Sequence, residues 1–460
     1  KKKEVVLSGG RLSKSLWSSD EINRIFGSTI TSDVMGVSID SRTLRPGDLF
    51  IALSGNSGSN FAEAGNVFRD GHDFIGDAIN SGAAAVMSSR SEPDRYESIQ
   101  VSDTLSGLWD LGRAGRARMQ APVIAITGSN GKTTARGWLQ SLLEKTGKVH
   151  GSQNSLNNHW GVPLSLSRTP RQSEAAVFEI GTNHSGEIGV LSDLVAPDVA
   201  ILLNVDSAHI GNFESMEALK REKLSIVSGL KGGAFVLPVN LANKTRHSNT
   251  LTFGKGGDAF VSGINPETSG VTFSICGKAY DCEFPYPVWP RLHSLLAIFC
   301  GLHAAGFDIE KLMEQAASLV LPAGRGNIIE RSGIKLIDDS YNANEQSMSL
   351  AIEDLKIRNG RKIAILGEML ELGKFSDDSH QRIATSAEKG IDLVYTFGKA
   401  FRNSVFSCDR KHYNLVEDLD LEAFAASLRR NDVVLVKGSN RVFWKNGFVK
   451  RLVSLIEKES

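Results

Sequence analysis

The stretch VIAITGSNGKTT contains the residue types of a phosphate-binding loop. Its apolar run is followed by Gly128 and Gly131, which permit backbone angles that turn successive N–H groups toward an anion. Next come Lys132, of a type that reaches the terminal phosphates of a nucleotide, and Thr133, whose hydroxyl suits Mg²⁺. The loop lacks the first glycine of the general pattern. We predict a nucleotide site here, and the alternative is a solvated turn that caps a helix.

Two further candidate ligands follow the next apolar runs. Glu179 ends the run AAVFEI, and His209 lies in the loop after VAILLNV. In open α/β sheets, ligands bind at the carboxyl ends of the strands. A carboxylate and an imidazole there would complete a Mg²⁺ shell that Thr133 opens. Taken singly, Glu179 fits a helix cap and His209 a loop residue, but beside a phosphate loop they predict a metal site.

Other stretches leave the choice open. Lys223 lies in a predicted helix, and its spacing does not distinguish it from Lys220. The run IDDSYNANEQS suits hydrogen bonds to ribose or an amine, and equally a capped turn. The run LGEMLELG (366–373) suggests no chemistry, which favours a structural role.

The elements that must position these residues follow an α/β pattern. The runs VIAIT, AAVFEI, VAILLNV and AFVLPV alternate with predicted helices at 133–145 and 215–230, which indicates a mostly parallel sheet. A hairpin is predicted within 258–286, followed by a helix at 292–305. The later runs KLIDD, KIAILGE, DLVYTFG and DVVLVKG predict a second, doubly wound sheet.

Changes in the pattern of apolar runs and turns along the chain predict three domains. Residues 1–117, with strands expected at 34–39, 48–53 and 84–87, form a small mixed α/β module. The central and C-terminal α/β domains are placed at 118–326 and 327–460. A chain of 460 residues is too long for a single core.

Composition excludes several classes of protein. Lys plus Arg and Asp plus Glu both number 52, so no net field favours nucleic acid or an anionic membrane. No stretch reaches the ~18 apolar residues of a membrane span, and KKKEVVLSGG lacks a signal-peptide core. The 4 cysteines contain no CxxC pair, which argues against zinc. Cys276 and Cys282 flank a predicted turn, and we expect them to be reduced rather than joined by a disulfide. We expect a cytoplasmic monomer without nucleic-acid partners or membrane insertion.

Together these stretches resemble the Mur ligase family over nearly the whole chain. The resemblance is carried by DSRTLRPGDLFIAL, NNHWGVPLSL, FEIGTNHSGEI, DDSYNANEQSM, LGEMLELG and VLVKGS, and GSNGKTT is similar to that family's shortened phosphate loop. The DNPR signature of members that add meso-diaminopimelate is absent, as is the N-terminal GxGxxG of those that add the first two residues. The chain is most similar to members that join D-alanyl-D-alanine to UDP-N-acetylmuramoyl-tripeptide.

The resemblance implies a UDP-binding N-terminal module, a central P-loop ATPase and a C-terminal Rossmann-like domain. It implies ATP binding by Gly128, Ser129, Asn130, Gly131, Lys132, Thr133, Thr134, Arg325 and Asp339. It implies Mg²⁺ binding by Thr133, Glu179, His209 and Lys223, the last as a carbamate, and catalytic roles for Lys132, Glu179, His209 and Lys223. Ser41 and Arg42 match the segment that meets the UDP end of the substrate.

The implied reaction activates the carboxylate of the tripeptide as an acyl phosphate, which the amine of the dipeptide then attacks. Closure of the C-terminal domain onto the ATP site is expected. The chain departs from the family at Ala297, where an adenine-contacting Asn is usual, and at Glu345, where a Pro is usual. The alternatives are another amide ligase of this superfamily, such as one that extends folate with glutamate, and a nucleotide-binding regulator without catalysis.

Overall fold

The computed structural model describes residues 15–54, 69–153, 156–207, 210–265, 269–285, 289–406 and 409–458. Contacts divide the chain into two compact units. The first comprises Lys1–Ala121 and His150–Glu174, and the second comprises Pro122–Val149 and Ala175–Ser460. The predicted boundaries of three domains stay a prediction. His209, Cys408 and the end of the predicted hairpin at Tyr286 lie outside the described residues.

The elements are numbered in chain order. Residues 15–121 contain α1 (Ser19–Phe26), β1 (Gly36–Ser38), β2 (Asp48–Ile51), α2 (Ile75–Asn80), β3 (Ala85–Ser88), β4 (Ser98–Gln100) and α3 (Thr104–Ala117). Residues 122–321 contain β5 (Val123–Thr127), α4 (Lys132–Leu143), β6 (Val149–Gly151), α5 (Gly161–Ser167), β7 (Ala175–Glu179), α6 (Glu187–Val195), β8 (Val199–Leu202), α7 (Met216–Leu224), β9 (Ala234–Pro238), β10 (Thr250–Phe253), β11 (Ala259–Asn265), β12 (Gly270–Ile275), β13 (Lys278–Glu283), α8 (Trp289–Ala304) and α9 (Ile309–Met313). Residues 324–458 contain β14 (Asn327–Arg331), β15 (Ile334–Asp339), α10 (Glu345–Lys356), β16 (Lys362–Gly367), α11 (Ser376–Ala387), β17 (Leu393–Phe397), β18 (Arg410–Tyr413), α12 (Leu421–Ser427), β19 (Val433–Lys437) and α13 (Phe448–Lys458).

The first unit is built on a parallel sheet with the order β1-β2-β3-β4. Its first helix starts at a capping box, in which the Ser18 hydroxyl accepts from the Glu21 N–H and the Glu21 carboxylate accepts from the Ser18 N–H. The indole of Trp17 donates to the Ser167 carbonyl at 2.8 Å. Leu164 of α5 lies in the same apolar cluster as Trp17, so the segment that contains α5 packs in this unit.

The second unit contains eight strands of one sheet in the order β13-β12-β11-β10-β9-β8-β5-β7. Strands β7, β5, β8, β9 and β10 are parallel, and β5 lies between β8 and β7. The chain leaves β5 for one side of the sheet and later returns on the other side. The carboxyl end of β5 is therefore a topological switch point, where open α/β sheets bind ligands.

The same unit contains a sheet with the order β14-β15-β19-β16-β17-β18, parallel except for β14. Apolar side chains cover both of its faces in two clusters. One cluster includes Ile210, Phe213 and Leu219 from the segment after β8. This segment therefore shares a core with the C-terminal sheet.

The α/β class and the predicted strands are confirmed, and the hairpin is present as β12 and β13. The strands β4, β6, β10, β14 and β18 were not predicted. The helix expected at 215–230 is wrong at its end, since α7 stops at Leu224 and a 3-10 turn, Ser225–Gly229, follows. The Ser225 hydroxyl donates to the Glu222 carbonyl there at 2.6 Å, a local bond that competes with helix continuation. Within the described residues, no helix is both long enough and apolar enough to span a bilayer.

Candidate functional site

The phosphate loop joins β5 to α4. Gly131 is the N-cap of α4 with φ +78°, a left-handed angle that favours glycine. The Lys132 ammonium donates to the carbonyls of Gly128 at 2.7 Å and Ser129 at 3.3 Å. Burial lowers the pKa of Lys132, while Glu179 opposes that shift and Arg325 adds to it. The loop thus brings a helix N-terminus and a cation to one point, which suits a polyphosphate.

Residues of the loop after β8 form hydrogen bonds with the phosphate loop. The Ser129 N–H donates to the Asn204 carbonyl at 3.1 Å, and the Asn130 N–H donates to Asn204 Oδ1 at 2.8 Å. The Ser129 hydroxyl donates to the Asp206 carbonyl at 2.9 Å. Burial raises the pKa of Asp206, and hydrogen bonds with Asn130 and Gln346 oppose that shift. These bonds fix the conformation of the phosphate loop.

Glu179 lies at the end of β7, beside the start of the phosphate loop. It pairs in register with Ile126 of β5, and the residue is 1% exposed. Arg136, one turn into α4, places its Nε 3.8 Å from Glu179 Oε2. Burial lowers the pKa of Arg136, and the Glu179 charge opposes that shift. A buried carboxylate therefore lies at the carboxyl end of β7, where it interacts with the charges of Arg136 and Lys132.

Lys223 and Lys220 lie on α7, and the structure separates them. Lys220 pairs with Glu217 at 3.4 Å, and its side chain is 32% exposed. Lys223 is 0% exposed, and its Nζ has no hydrogen-bond partner among the described residues. Burial lowers the pKa of Lys223 well below its usual value, Lys132 adds to this, and the carboxylates of Glu222, Glu187 and Glu179 oppose it. Lys223 is thus a buried amine biased toward its neutral form.

Two of those carboxylates order the start of α6. Glu222 accepts from the Gly186 N–H at 2.6 Å and from the Ile188 N–H at 2.7 Å. Glu187 accepts from the N–H groups of Asn183 at 2.7 Å and His184 at 3.1 Å. Both acidic side chains therefore satisfy N–H groups at or near a helix N-terminus, where negative charge is stabilised.

The C-terminal part of the second unit brings more polar groups to the phosphate loop. Arg325 donates from Nη2 to the Thr133 hydroxyl at 3.3 Å, and its guanidinium lies over the Tyr341 ring at 4.0 Å. Asp339, at the end of β15, pairs with the buried Lys437 at 2.7 Å. Arg325 thus contacts the predicted ATP loop directly, whereas Asp339 is held by a strand neighbour.

The run IDDSYNANEQS forms a capped turn. Asn344 is the N-cap of α10, since its Oδ1 accepts from the Ser347 N–H at 3.0 Å. Its Nδ2 also donates to Asn130 Oδ1 at 2.5 Å, and Asn130 Nδ2 donates to Gln346 Oε1 at 3.2 Å. The capping role that the sequence left open is therefore present, together with a contact to the phosphate loop.

Three predicted residues lie in the first unit or outside the described residues. Ser41 and Arg42 lie in the first unit, in the turn after β1, where Arg42 pairs with Asp40 at 2.7 Å and its side chain is 86% exposed. His209 lies outside the described residues. The roles of all the predicted site residues stay predictions.

Four residues at the site were not predicted from the sequence: Arg136, Glu187, Glu222 and Asp206. Arg136 follows Thr133 by three residues, and this helical spacing places both on one side of α4. Glu222 and Glu187 carry no signal in the sequence, because only the fold shows that they are buried. Their proximity to Lys223 appears only when α6 packs against α7 and the following turn.

The assembled groups suit phosphoryl transfer. A lysine and backbone N–H groups are arranged to bind phosphate oxygens, while oxygen ligands on β7 and α4 suit a hard divalent cation.

Two family profiles match the chain. One, described as the Mur ligase middle domain, matches residues 126–291, and the other, described as the Mur ligase, glutamate ligase domain, matches residues 324–440. The chain is 32% identical over 430 residues to the UDP-N-acetylmuramoyl-tripeptide–D-alanyl-D-alanine ligase of Bacillus subtilis, a match that covers 88% of this chain and 90% of that protein. It is 30% identical over 387 residues to the ligase of the same name from Escherichia coli, covering 81% and 83% of the two chains.

Solved structures give the same relationship. A crystal structure of MurF from Acinetobacter baumannii matches with a TM-score of 0.84 and 25% identity, covering 95% of this chain and 99% of that one. MurF ligase from Thermotoga maritima in complex with ADP matches with a TM-score of 0.79 and 28% identity, covering 92% and 98%.

Proposed function

The chain belongs to the Mur ligase family, and we propose that it joins D-alanyl-D-alanine to UDP-N-acetylmuramoyl-tripeptide with cleavage of ATP to ADP and phosphate. This is amide-bond formation in peptidoglycan precursor synthesis. The proposal rests on one observation: three features meet at the carboxyl ends of the central strands of the sheet. A phosphate loop, a buried carboxylate at Glu179 and a buried amine at Lys223 interact electrostatically around the carboxyl end of β5.

The reaction takes place in two steps. A carboxylate oxygen of the tripeptide attacks the γ-phosphorus of ATP, which forms a C–O–P bond as the bond to ADP breaks. The amine of D-alanyl-D-alanine then attacks the acyl carbon and loses a proton, and inorganic phosphate leaves with the former carboxylate oxygen. Phosphorylation is needed because a free carboxylate is a poor electrophile.

Lys132 and the phosphate-loop N–H groups bind the terminal phosphates. The Lys132 ammonium already lies against the loop carbonyls of Gly128 and Ser129, so the side chain is ordered close to where a phosphate would bind. A positioned cation at the transferring group acts through positioning and charge stabilisation. Arg325, which donates to Thr133, supplies a second positive charge.

The oxygen ligands near this loop fit Mg²⁺. We assign the metal to Thr133, Glu179, His209 and Lys223, in which Glu179 provides a buried carboxylate and Thr133 a hydroxyl on the adjacent helix. Mg²⁺, when bound, offsets negative charge on the transferring phosphoryl group. The neutral or protonated amine of Lys223 is a poor ligand for this hard cation, so Lys223 fits only in a modified form.

Carbamylation of Lys223 resolves this mismatch. The neutral amine attacks the carbon of CO₂, and loss of one proton leaves an anionic carbamate with two oxygen ligands. The lowered pKa of Lys223 favours the amine form that this addition requires, and its Nζ forms no hydrogen bond in the described structure that would have to be broken.

The remaining assignments concern the two substrates. Asp339 is assigned to the ATP ribose, and its pair with Lys437 fixes the carboxylate. Ser41 and Arg42 are assigned to the UDP end of the other substrate. Ala297, a core residue that is 0% exposed, makes no polar adenine contact through its side chain, so adenine must be held by other groups. We also propose that the chain acts as a monomer and binds no nucleic acid.

The proposed function is tested by an ADP-release assay with UDP-N-acetylmuramoyl-tripeptide, with and without D-alanyl-D-alanine. We expect sustained release only when both are present, and a product heavier by one dipeptide less one water. Release that does not depend on the dipeptide would contradict the assignment. Replacing D-alanyl-D-alanine by glutamate tests the glutamate-adding alternative.

A further inference from the structure

The motif LGEMLELG, which the proposed chemistry does not use, contacts the loop that leaves β8. The Gly211 N–H donates to the Glu371 carbonyl at 3.1 Å. A Cβ at Gly211 would lie 2.6 Å from both the Glu371 carbonyl oxygen and the Gly373 nitrogen. Main chain therefore packs directly on main chain, and only glycine fits without a shift. We call residues 368–373 the clasp.

The clasp forms hydrogen bonds with other residues of the C-terminal part of the chain. The Met369 N–H donates to Nε2 of the buried His380 at 3.0 Å, while His380 Nδ1 lies 2.7 Å from the Ser376 carbonyl oxygen. This arrangement requires a neutral ring that donates from Nδ1 and accepts at Nε2. The Ser439 N–H donates to the Glu368 carbonyl at 3.2 Å. The clasp is thus fixed to the C-terminal sheet by polar contacts.

The backbone of the clasp adopts an unfavourable conformation at the contact. Glu371 has φ +63°, in the left-handed region that non-glycine residues rarely adopt. Such a conformation persists where the surrounding structure holds it. Here it accompanies the Glu371 carbonyl that accepts from Gly211.

Apolar contacts extend the junction toward Lys223. Ile210, Phe213 and Leu219 share one core cluster with Met369 and Leu372 of the clasp. Leu219 precedes Lys223 by four residues on α7, so the two side chains lie on one helix face. The C-terminal core therefore packs on the helix that carries the buried amine.

The start of the same loop supports the phosphate loop. Asn204 and Asp206 bind Ser129 and Asn130 through the hydrogen bonds described above. The described parts of the loop, 203–207 and 210–213, thus connect to the phosphate loop at one end and to the clasp at the other. The described path from Gly211 continues through Phe213 to α7, the helix that carries Lys223.

We infer that the clasp positions residues 210–213 and α7, and so couples their packing on the C-terminal sheet to binding of nucleotide with Mg²⁺, with Gly211 as the positioning residue. The coupling to turnover rests on the proposed function. The coupling to nucleotide binding does not, so the two can fail separately.

The first test compares Gly211→Ala with Gly76→Ala. A Cβ at Gly76 of α2 would have nothing within 4 Å, so this variant controls for the substitution itself. For Gly211→Ala we expect a dissociation constant for ATP with Mg²⁺ that is about 10-fold higher and a kcat about 10-fold lower, with one nucleotide still bound per chain. Gly76→Ala is expected to match the wild type. Unchanged affinity in Gly211→Ala, or lost activity explained by fewer binding-competent chains, would overturn the inference.

The second test uses the wild-type chain and therefore does not depend on folding of a variant. Amide exchange is measured with and without a non-hydrolysable ATP analogue and Mg²⁺. We expect protection to increase in 210–213 and 368–375 together with the phosphate loop. Protection confined to the phosphate loop would contradict the coupling. If the wild type binds nucleotide with this pattern but does not use D-alanyl-D-alanine, the proposed substrate fails and the coupling stands.

Discussion

Two lysines near the same carboxylate are held in opposite ways. Lys132 donates to the carbonyls of Gly128 and Ser129, whereas the Nζ of Lys223 has no hydrogen-bond partner in the described part of the chain. Burial lowers the pKa of both side chains, and Glu179 opposes the shift in each case. The difference lies in the polar contacts and in the exposure, since Lys132 is partly exposed and Lys223 is fully buried.

This difference suits two separate tasks. Carbonyl oxygens around Lys132 stabilise its ammonium form and hold it where phosphate would bind. Among the described residues no acceptor forms a hydrogen bond with Lys223 Nζ, and burial outweighs the opposing carboxylates, so its neutral amine is available to react with CO₂. One lysine is therefore suited to act as a cation, and the other to become an anionic metal ligand.

The largest effect is expected for Lys132→Ala. Loss of a positioned charge at the transferring phosphoryl group should lower turnover on the order of 10³-fold. Steady-state ADP release measures this, and far-UV circular dichroism should show an intact fold. Turnover within a few fold of the wild type would remove the phosphate-loop assignment.

Lys223→Ala is expected to lower turnover about 100-fold, because an oxygen ligand of the metal is lost. The control is Lys220→Ala, since Lys220 is more exposed and lies one turn away on the same helix. Lys220→Ala should retain wild-type turnover. Equal loss in both variants would indicate a general requirement for α7 rather than a role for the buried amine.

The carbamate also predicts a dependence on CO₂ and pH. Because the pKa of Lys223 is lowered, its amine is neutral at a lower pH than that of an exposed lysine, and acid shifts the balance toward the ammonium. Turnover of the wild type should fall when CO₂ is removed, return when bicarbonate is added, and need more bicarbonate as the pH is lowered. Independence from CO₂ would contradict carbamylation.

Glu222→Gln tests the surroundings of Lys223. The change weakens two charge-assisted hydrogen bonds to N–H groups at the start of α6 and removes a charge that raises the pKa of Lys223. We expect a loss of about 1–2 kcal/mol in the free energy of unfolding, measured with urea. The exposed Glu217 on the same helix provides the control, and Glu217→Gln should leave the midpoint unchanged.

The smallest effect is expected for Glu345→Pro. Glu345 pairs with Arg382, whose side chain is 57% exposed, and such pairs contribute less than about 1 kcal/mol. It is also the first residue of α10, a position where proline is tolerated. Turnover and the KM for ATP should stay within about twofold of the wild type. A larger change would mean that the partly exposed charge of Glu345 matters as much for turnover as the buried charges do.

Sequence alone predicted features whose residues are contiguous. The phosphate loop was predictable because strand, glycines, Lys132 and helix follow one another within a few residues. The buried strands were predictable from apolar runs of the right length. The short strands β14 and β18 were not, because their burial patterns are mixed and pairing with a neighbouring strand defines them.

Features that depend on packing could not be predicted from residue types. Lys223 and Lys220 look alike in the sequence, and only the fold buries one of them. Gly211 is one of 45 glycines in the sequence. A side chain at this position would collide with the clasp, whose residue Glu371 follows Gly211 by 160 positions in the chain. The resemblance named candidate residues, but the described structure contributes their burial and partners.

The central claim, activation of a carboxylate by ATP, is tested most directly by isotope transfer. The tripeptide is labelled with ¹⁸O in both oxygens of its terminal carboxylate and turned over with D-alanyl-D-alanine, and the released phosphate is analysed by mass spectrometry. We expect one ¹⁸O atom in each inorganic phosphate and the other ¹⁸O atom in the new amide. Phosphate without ¹⁸O would contradict it, because the carboxylate oxygen would never have been bonded to phosphorus.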